Sequence, residues 1–186
     1  MTRRIDTYSS PQQELDHALL IHGIRILCQD TACILPVLLF ASLRGHIFYA
    51  VSYIILYALL RVHSGGYHVS SHIGCVLLYF VQYLIADLCL EIDLPWTQTL
   101  LVLLALWYLF QNVPFLHRKQ PLNKEEYRKN WKISLVLLSI YCLFYLIASF
   151  ADLSFANLLF FIIIYTAVLG FMQKHSCNAL GNEEIQ

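Results

Sequence analysis

Six long apolar stretches constrain this chain more than any other feature of its sequence. They run approximately over residues 27–43, 47–60, 73–90, 97–116, 133–150 and 155–172. A helix that crosses a bilayer needs roughly 20 apolar residues, and the last four stretches meet that length. The chain is also 59% hydrophobic and 13% charged, whereas soluble domains average about 45–50% and about 25%. These features predict an all-α, polytopic membrane helix bundle with about six transmembrane helices.

The first two stretches leave an alternative open. The second is short at its apolar core, and the first contains Asp30 and Pro36. Together they would also suit a re-entrant hairpin, so four spans plus a hairpin is the alternative architecture. Either way, the chain is predicted to be a single integral membrane domain over residues 1–186, with its membrane spans in residues 27–172.

The first 26 residues form an amphipathic segment. Ser10 and Pro11 predict a helix start there, because serine caps helices and proline suits the first helical position. Apolar residues then alternate with acidic residues and histidines, which favours either a helix on the membrane surface or a cap packed on the protein. No apolar run follows the N-terminal arginines directly, so we expect no cleavable signal peptide.

The distribution of charge predicts the orientation of the spans. Residues 117–132 carry six of the twelve lysines and arginines. The turns on the opposite side carry acidic residues, and Arg44 is the exception. Since basic loops stay in the cytoplasm, we expect both termini, the 173–186 tail, residues 61–71 and the basic loop on that side. The formal net charge of zero gives no indication of nucleic-acid binding.

The segment from Arg61 to Cys75 stands out within this apolar chain. It contains three histidines, a Gly65-Gly66 pair, an arginine and a cysteine. Ionisable side chains at membrane depth are costly and indicate a functional site. A cytoplasmic cysteine remains a thiol and becomes a catalytic nucleophile when a histidine lies within hydrogen-bond reach.

Two histidines are candidate bases for Cys75. His68 lies almost two helical turns away on the same face, which puts the Cα atoms roughly 10 Å apart on a regular helix. The Gly65-Gly66 pair predicts a turn that would bring His68 closer. His72 is nearer on a regular helix, so spacing alone does not choose between them.

A metal site is the competing hypothesis for this cluster. His68, His72 and Cys75 share one helical face and would bind zinc with a fourth ligand such as His63. A non-enzymatic carrier or metal-binding membrane protein would use these residues. No paired histidines with an intervening glutamate base occur, which weakens hydrolytic zinc. We therefore predict neither a metal nor another cofactor.

The pattern Arg61-x4-Gly66-x-His68-x6-Cys75, with Gly65 and Tyr67 alongside, resembles the core motif of the accessory gene regulator B (AgrB) family of bacterial quorum-sensing proteins. Chain length, hydropathy, the amphipathic start and the basic loop are similar too. The resemblance implies a membrane cysteine endopeptidase with Cys75 as nucleophile and His68 as general base. It also implies that Arg61 and Gly66, with Gly65 beside it, shape the site.

The expected substrate is a small precursor peptide. In the family, the precursor loses its C-terminal tail to an acyl-enzyme thioester. A cysteine or serine of the precursor then attacks, giving a cyclic thiolactone or lactone signal.

The basic loop is expected to anchor the chain at lipid headgroups and also suits an acidic precursor tail. A homodimer is a further expectation from the family. Polar candidates to orient His68 are Asp30, Gln29, Ser71 and Asn123.

Overall fold

The computed structural model of the chain describes residues 11–67, 71–90, 95–115, 123–151 and 154–183. Six helices occur in these ranges: α1 (Pro11–Arg44), α2 (Ile47–Ser64), α3 (His72–Leu88), α4 (Pro95–Asn112), α5 (Lys124–Phe150) and α6 (Phe155–Glu183). No β-strand occurs among the described residues. The all-α prediction is confirmed.

Four of the described helices contain segments long and apolar enough to cross a membrane. These are Leu27–Arg44 in α1, Ile47–Ser64, Lys124–Phe150 and Phe155–Ser176 in α6. The α3 helix is apolar but shorter, with 17 residues. The first two apolar stretches of the sequence, which were the weakest candidates there, thus qualify by length and composition. The membrane bundle is supported, whereas a count of six spans remains a prediction.

The amphipathic segment and the first span form one helix. The α1 helix runs without interruption from Pro11, where the described residues begin, through Pro36 to Arg44. The predicted cap, Ser10, lies outside the described residues. In its first part Leu19, Leu20 and Ile24 are 60%, 62% and 52% exposed. This apolar face therefore does not pack on the bundle as a cap, and it remains available to a membrane surface.

Helix α6 occupies the centre of the bundle. It packs against α2, α3, α4 and α5 and buries Leu158, Leu159, Ile162 and Ile163 almost completely. A second packing region joins α2 to α3 through tyrosine rings whose centroids lie 5.4–5.8 Å apart: Tyr53, Tyr57, Tyr79 and Tyr83. These contacts fix α3 relative to α2, and the sequence between the two helices contains the predicted site.

The outer surface of the bundle is strongly apolar. Leu43, Phe48, Trp96 and Phe150 are 87–91% exposed, and many other large apolar side chains share this outward position. Water-soluble monomers rarely present such extensive apolar surface, whereas lipid tails impose no penalty on it. The surface therefore agrees with a chain embedded in a bilayer.

An ionic cluster joins the α1–α2 turn to the end of α3. The Asp87 side chain is fully buried and lies 3.2 Å from Arg44 Nε and 2.7 Å from His46 Nδ1. Tyr83 donates a hydrogen bond to the same carboxylate. This pairing explains Arg44, the one basic residue that departs from the charge distribution, because its charge is matched locally by Asp87.

Candidate active site

A cavity of about 580 Å³ lies among α1, α2, α3 and α5 and the segment that follows α4. This volume is in the usual range of ligand-binding pockets. Its walls are largely apolar, and its polar lining residues are Asp30, Cys33, Arg61, His63, Cys75, Gln82 and Asn130. The cavity thus contains the two ends of the predicted cluster, Arg61 and Cys75.

Cys75 belongs to the first turn of α3. Ser71 caps this helix, since its Oγ accepts a hydrogen bond from the Gly74 N–H at 3.5 Å and its carbonyl accepts one from the Cys75 N–H at 3.0 Å. The thiol is half-buried in the cavity wall. The first turn of a helix carries a partial positive charge, and Cys75 lies within this turn.

The turn after α2 depends on its two glycines. Gly65 has a φ of +70° and Gly66 a φ of +124°, a region that L side chains rarely adopt. A Cβ on Gly66 would lie 2.1 Å from Arg61 Nη1, and one on Gly65 would lie 2.4 Å from the Phe115 carbonyl oxygen. Both positions therefore exclude any side chain, for reasons of conformation and of space.

Arg61 closes this turn. Its Nη1 donates to the Gly65 carbonyl at 2.9 Å, and its Nη2 donates to the Tyr67 carbonyl. The planar guanidinium supplies both donors in a fixed geometry, which a lysine does not offer. The arginine and the two glycines of the sequence pattern thus form one structural unit.

Two other parts of the chain hold the turn in place. The Phe115 N–H donates to the Ser64 carbonyl at 2.8 Å, and the Tyr67 N–H donates to the Leu169 carbonyl of α6 at 3.2 Å. Gly170 lies directly against the Phe115 ring, where an added Cβ would come within 2.1 Å of ring carbons. The chain on both sides of Gly66 is therefore fixed to the centre of the bundle.

The three histidines of the cluster differ in their surroundings. His68 lies outside the described residues, between Tyr67 in the cavity wall and Ser71 at the α3 cap. His72 is exposed, with its Nδ1 3.0 Å from Gln29 Oε1, and it does not line the cavity. His63 does line it, with Nδ1 3.4 Å from Asn130 Oδ1.

The four residues predicted as candidates to orient His68 also differ in their partners and positions. Gln29 pairs with His72, Ser71 caps α3, and Asn123 forms the capping box of α5 with Glu126. Asp30 alone among the four lines the cavity. The described residues contain no group of three His, Cys, Asp or Glu suited to a metal ion, but the metal set considered above includes His68 and is not tested.

Cys33 is a site residue that the sequence pattern did not indicate. Its thiol lies close to that of Cys75, and both line the cavity. Cys33 belongs to the first span, and only the packing of α1 on α3 brings the two thiols together. No feature near Cys33 in the sequence distinguishes it from the cysteines that serve as small apolar residues.

The sequence model of a family described as Accessory gene regulator B matches residues 1–173. No curated protein and no solved structure matches the chain. The matched region includes all of α1 to α5, the cavity and most of α6.

Proposed function

Because the chain belongs to the accessory gene regulator B (AgrB) family, we propose that it is a membrane cysteine endopeptidase. The family works in accessory gene regulation and in the processing of a quorum-sensing peptide, and the precursor of that peptide is the proposed substrate. The observation that carries the proposal is the presence of Cys75 in the wall of a ligand-sized cavity. The Arg61-bound glycine turn lies in the same wall.

The first step is the formation of an acyl-enzyme. His68 takes the proton of the Cys75 thiol, and Sγ attacks the carbonyl carbon of the precursor peptide bond. The carbon–nitrogen bond then breaks, the leaving amine takes the proton from His68, and the C-terminal tail departs. Of the four N–H groups in the first turn of α3, Ser71 binds those of Gly74 and Cys75. Those of His72 and Ile73 have no acceptor within the helix and are suited to stabilise the oxyanion.

The second step passes the acyl group to the precursor's own thiol or hydroxyl. This group loses its proton to His68 and attacks the thioester carbonyl, the bond to Cys75 Sγ breaks, and Cys75 recovers its proton. Transfer between two thiols is nearly isoenergetic, so the free energy of the acyl-enzyme thioester is conserved in a thiolactone. The cavity favours cyclisation over hydrolysis, because it holds the nucleophile close and limits water.

Arg61, Gly65 and Gly66 act by shape in this proposal. Their mutual contacts and the bonds from Phe115 and Tyr67 hold the chain just before His68. A turn held in this way would bring His68 towards Cys75, whereas a regular helix would leave these two residues too far apart for a hydrogen bond. His72 is paired with Gln29 outside the cavity, which supports His68 as the base.

The proposed site faces the cytoplasm of a bacterial cell, with both termini on the same side, in accordance with the positive-inside rule. The exposed Lys124, Arg128 and Lys129 begin α5, and Asn130 of the same helix lines the cavity. Basic side chains beside the cavity would attract an acidic precursor tail, and the same residues are positioned to meet anionic headgroups.

Coexpression with the cognate precursor tests this function. We expect Cys75→Ser and His68→Ala to abolish release of the tail, whereas His72→Ala retains most of it. His72 is the matched control, because it lies closer to Cys75 in sequence but is paired outside the cavity. Mass spectrometry of the precursor and its fragments provides the measurement.

Undiminished processing by either Cys75→Ser or His68→Ala would refute the mechanism. Loss of processing on chelation, together with stoichiometric metal in the purified protein, would favour the metal-binding alternative instead. Membrane levels of each variant, determined by immunoblotting, separate loss of chemistry from loss of the protein.

A further inference from the structure

Gln82 is a buried polar residue of the cavity to which the proposed mechanism assigns no part. It lies on α3, is 4% exposed and lines the same cavity as Cys75. Its Oε1 is buried without a hydrogen-bond partner. A buried acceptor left unpaired costs free energy, and a ligand that donates to it removes this cost.

The position of Gln82 relates it to the reacting bond. Seven positions separate it from Cys75, so both lie on one face of α3 and about 10 Å apart along its axis. Side chains on a helix lean towards its N-terminus, which directs the Gln82 amide back towards Cys75. A substrate residue whose carbonyl lies at Cys75 Sγ can extend its side chain to this amide.

The surroundings of Gln82 favour a neutral group with an apolar body. Ile34, Ile54 and Leu78 line the cavity with it, and Tyr57, which lies close to its amide, lines the same cavity. The cationic Arg61 is already held by two carbonyl groups. The unpaired Gln82 Oε1 therefore favours a ligand with a neutral hydrogen-bond donor over a charged ligand.

We propose that Gln82 determines specificity by accepting a hydrogen bond from the side chain of the substrate residue that precedes the cleaved bond. That residue combines an apolar body with one neutral donor, as tyrosine and tryptophan do. The inference rests on the proposed function, since it takes Cys75 as the nucleophile that fixes where the acyl group lies.

Two chloromethyl ketones that differ in one hydroxyl test the proposal on the full chain in lipid nanodiscs. Cys75 Sγ displaces chloride from acetyl-tyrosine or acetyl-phenylalanine chloromethyl ketone, and peptide mapping separates Cys75 from the neighbouring Cys33. We expect the tyrosine reagent to label Cys75 about three- to tenfold faster, the value of one neutral hydrogen bond. This preference falls to about one in Gln82→Leu. Gln111→Leu, on an exposed position of α4, retains it.

The possible outcomes separate a failure of the Gln82 proposal from a failure of the peptidase proposal. Labelling of Cys75 that depends on His68 but is equal for both reagents would overturn the Gln82 proposal and leave the peptidase intact. Equal labelling that is also indifferent to His68→Ala would overturn both. The preference of the unaltered protein needs no variant, so a Gln82→Leu protein that fails to fold does not prevent the test. If a folded Gln82→Leu protein still prefers the tyrosine reagent, the tyrosine hydroxyl binds a residue other than Gln82, and the proposal is overturned.

Discussion

At the scale of single residues, the glycine turn shows why this sequence pattern has its composition. Arg61 Nη1 occupies the space where a Cβ of Gly66 would be, and its two hydrogen bonds need the carbonyls of Gly65 and Tyr67 to point inward. An arginine and a glycine five positions apart are therefore required by the same contact. We therefore propose that these two residues act in the motif by packing within the turn and not by taking part in bond breaking.

Gly66→Ala tests this interpretation. The added methyl group would displace the Arg61 guanidinium and strain a backbone with φ of +124°. Since a displacement of about 1 Å near a reacting centre costs about 100-fold in rate, we expect precursor cleavage to fall by about that factor. Gly23→Ala, where an added Cβ meets nothing within 4 Å, is the matched control. Normal cleavage by Gly66→Ala would show that the turn does not position the base.

The sequence predicted some of these residue relations and missed others. The turn at Gly65-Gly66 was accessible because glycine pairs have a known turn chemistry, whereas a part for Arg61 in shaping the site came only from the resemblance to the AgrB family. The contact of Cys33 with Cys75 was not, since it depends on how α1 packs on α3. Gln82 was equally hidden, because a single glutamine in an apolar stretch does not reveal whether its amide has a partner.

At the scale of helices, the site depends on elements that contribute no reacting group. The turn after α2 is held by α6 through Leu169 and Gly170, and by the Phe115 segment after α4. The sequence predicted most of the described helices, because the length of an apolar stretch is a local signal. It did not predict that the amphipathic start and the first span form one helix of 34 residues, although no breaker separates them.

The contact between Gly170 and Phe115 offers a test of this support. A methyl group on Gly170 would overlap the aromatic ring, and such overpacking destabilises a protein by about 1–3 kcal/mol. We expect Gly170→Ala to lower both stability in detergent and precursor cleavage. Adding Phe115→Leu, which shortens the group that clashes, should restore part of both. Four proteins complete the cycle, and additive losses in the double variant would contradict the contact.

The Asp87 cluster lies at the opposite end of α3 from Cys75, and an Asp87→Asn variant tests what the cluster contributes to stability. Asp87→Asn leaves Arg44 and His46 without their buried carboxylate, so we expect a loss of about 1–3 kcal/mol in unfolding free energy. Arg44 is 47% exposed and can turn to water, which keeps the loss below that of a fully buried pair. Cleavage per folded molecule should be unchanged. A specific loss of cleavage would connect this cluster to the cavity.

At the scale of the whole molecule, the exposed apolar surface and the asymmetric distribution of charge agree with the same orientation in a bilayer. The bundle presents leucine and phenylalanine outward, while exposed basic residues begin α5 near the cavity. Arg44, the exception in the charge distribution, is paired with Asp87.

Labelling from outside intact cells tests this orientation. We expect a membrane-impermeant maleimide to label Ala151→Cys in intact cells, because the α5–α6 turn should face outward. Lys129→Cys, at the start of α5, should be labelled only after permeabilisation. Labelling is compared with that of the parent protein, which contains the native cysteines. The reverse pattern would place the proposed site on the outer face.

The central claim is that Cys75 carries the acyl group of the precursor, and the most direct measurement is the intact mass of the purified protein after reaction. The precursor used has its internal cysteine or serine nucleophile replaced by alanine, so that cyclisation is blocked. We predict a hydroxylamine-sensitive adduct on Cys75 with the mass of the precursor lacking its tail, formed together with an equal amount of free tail. Release of the tail without any adduct, or an adduct mapped to Cys33 or another residue, would contradict the account.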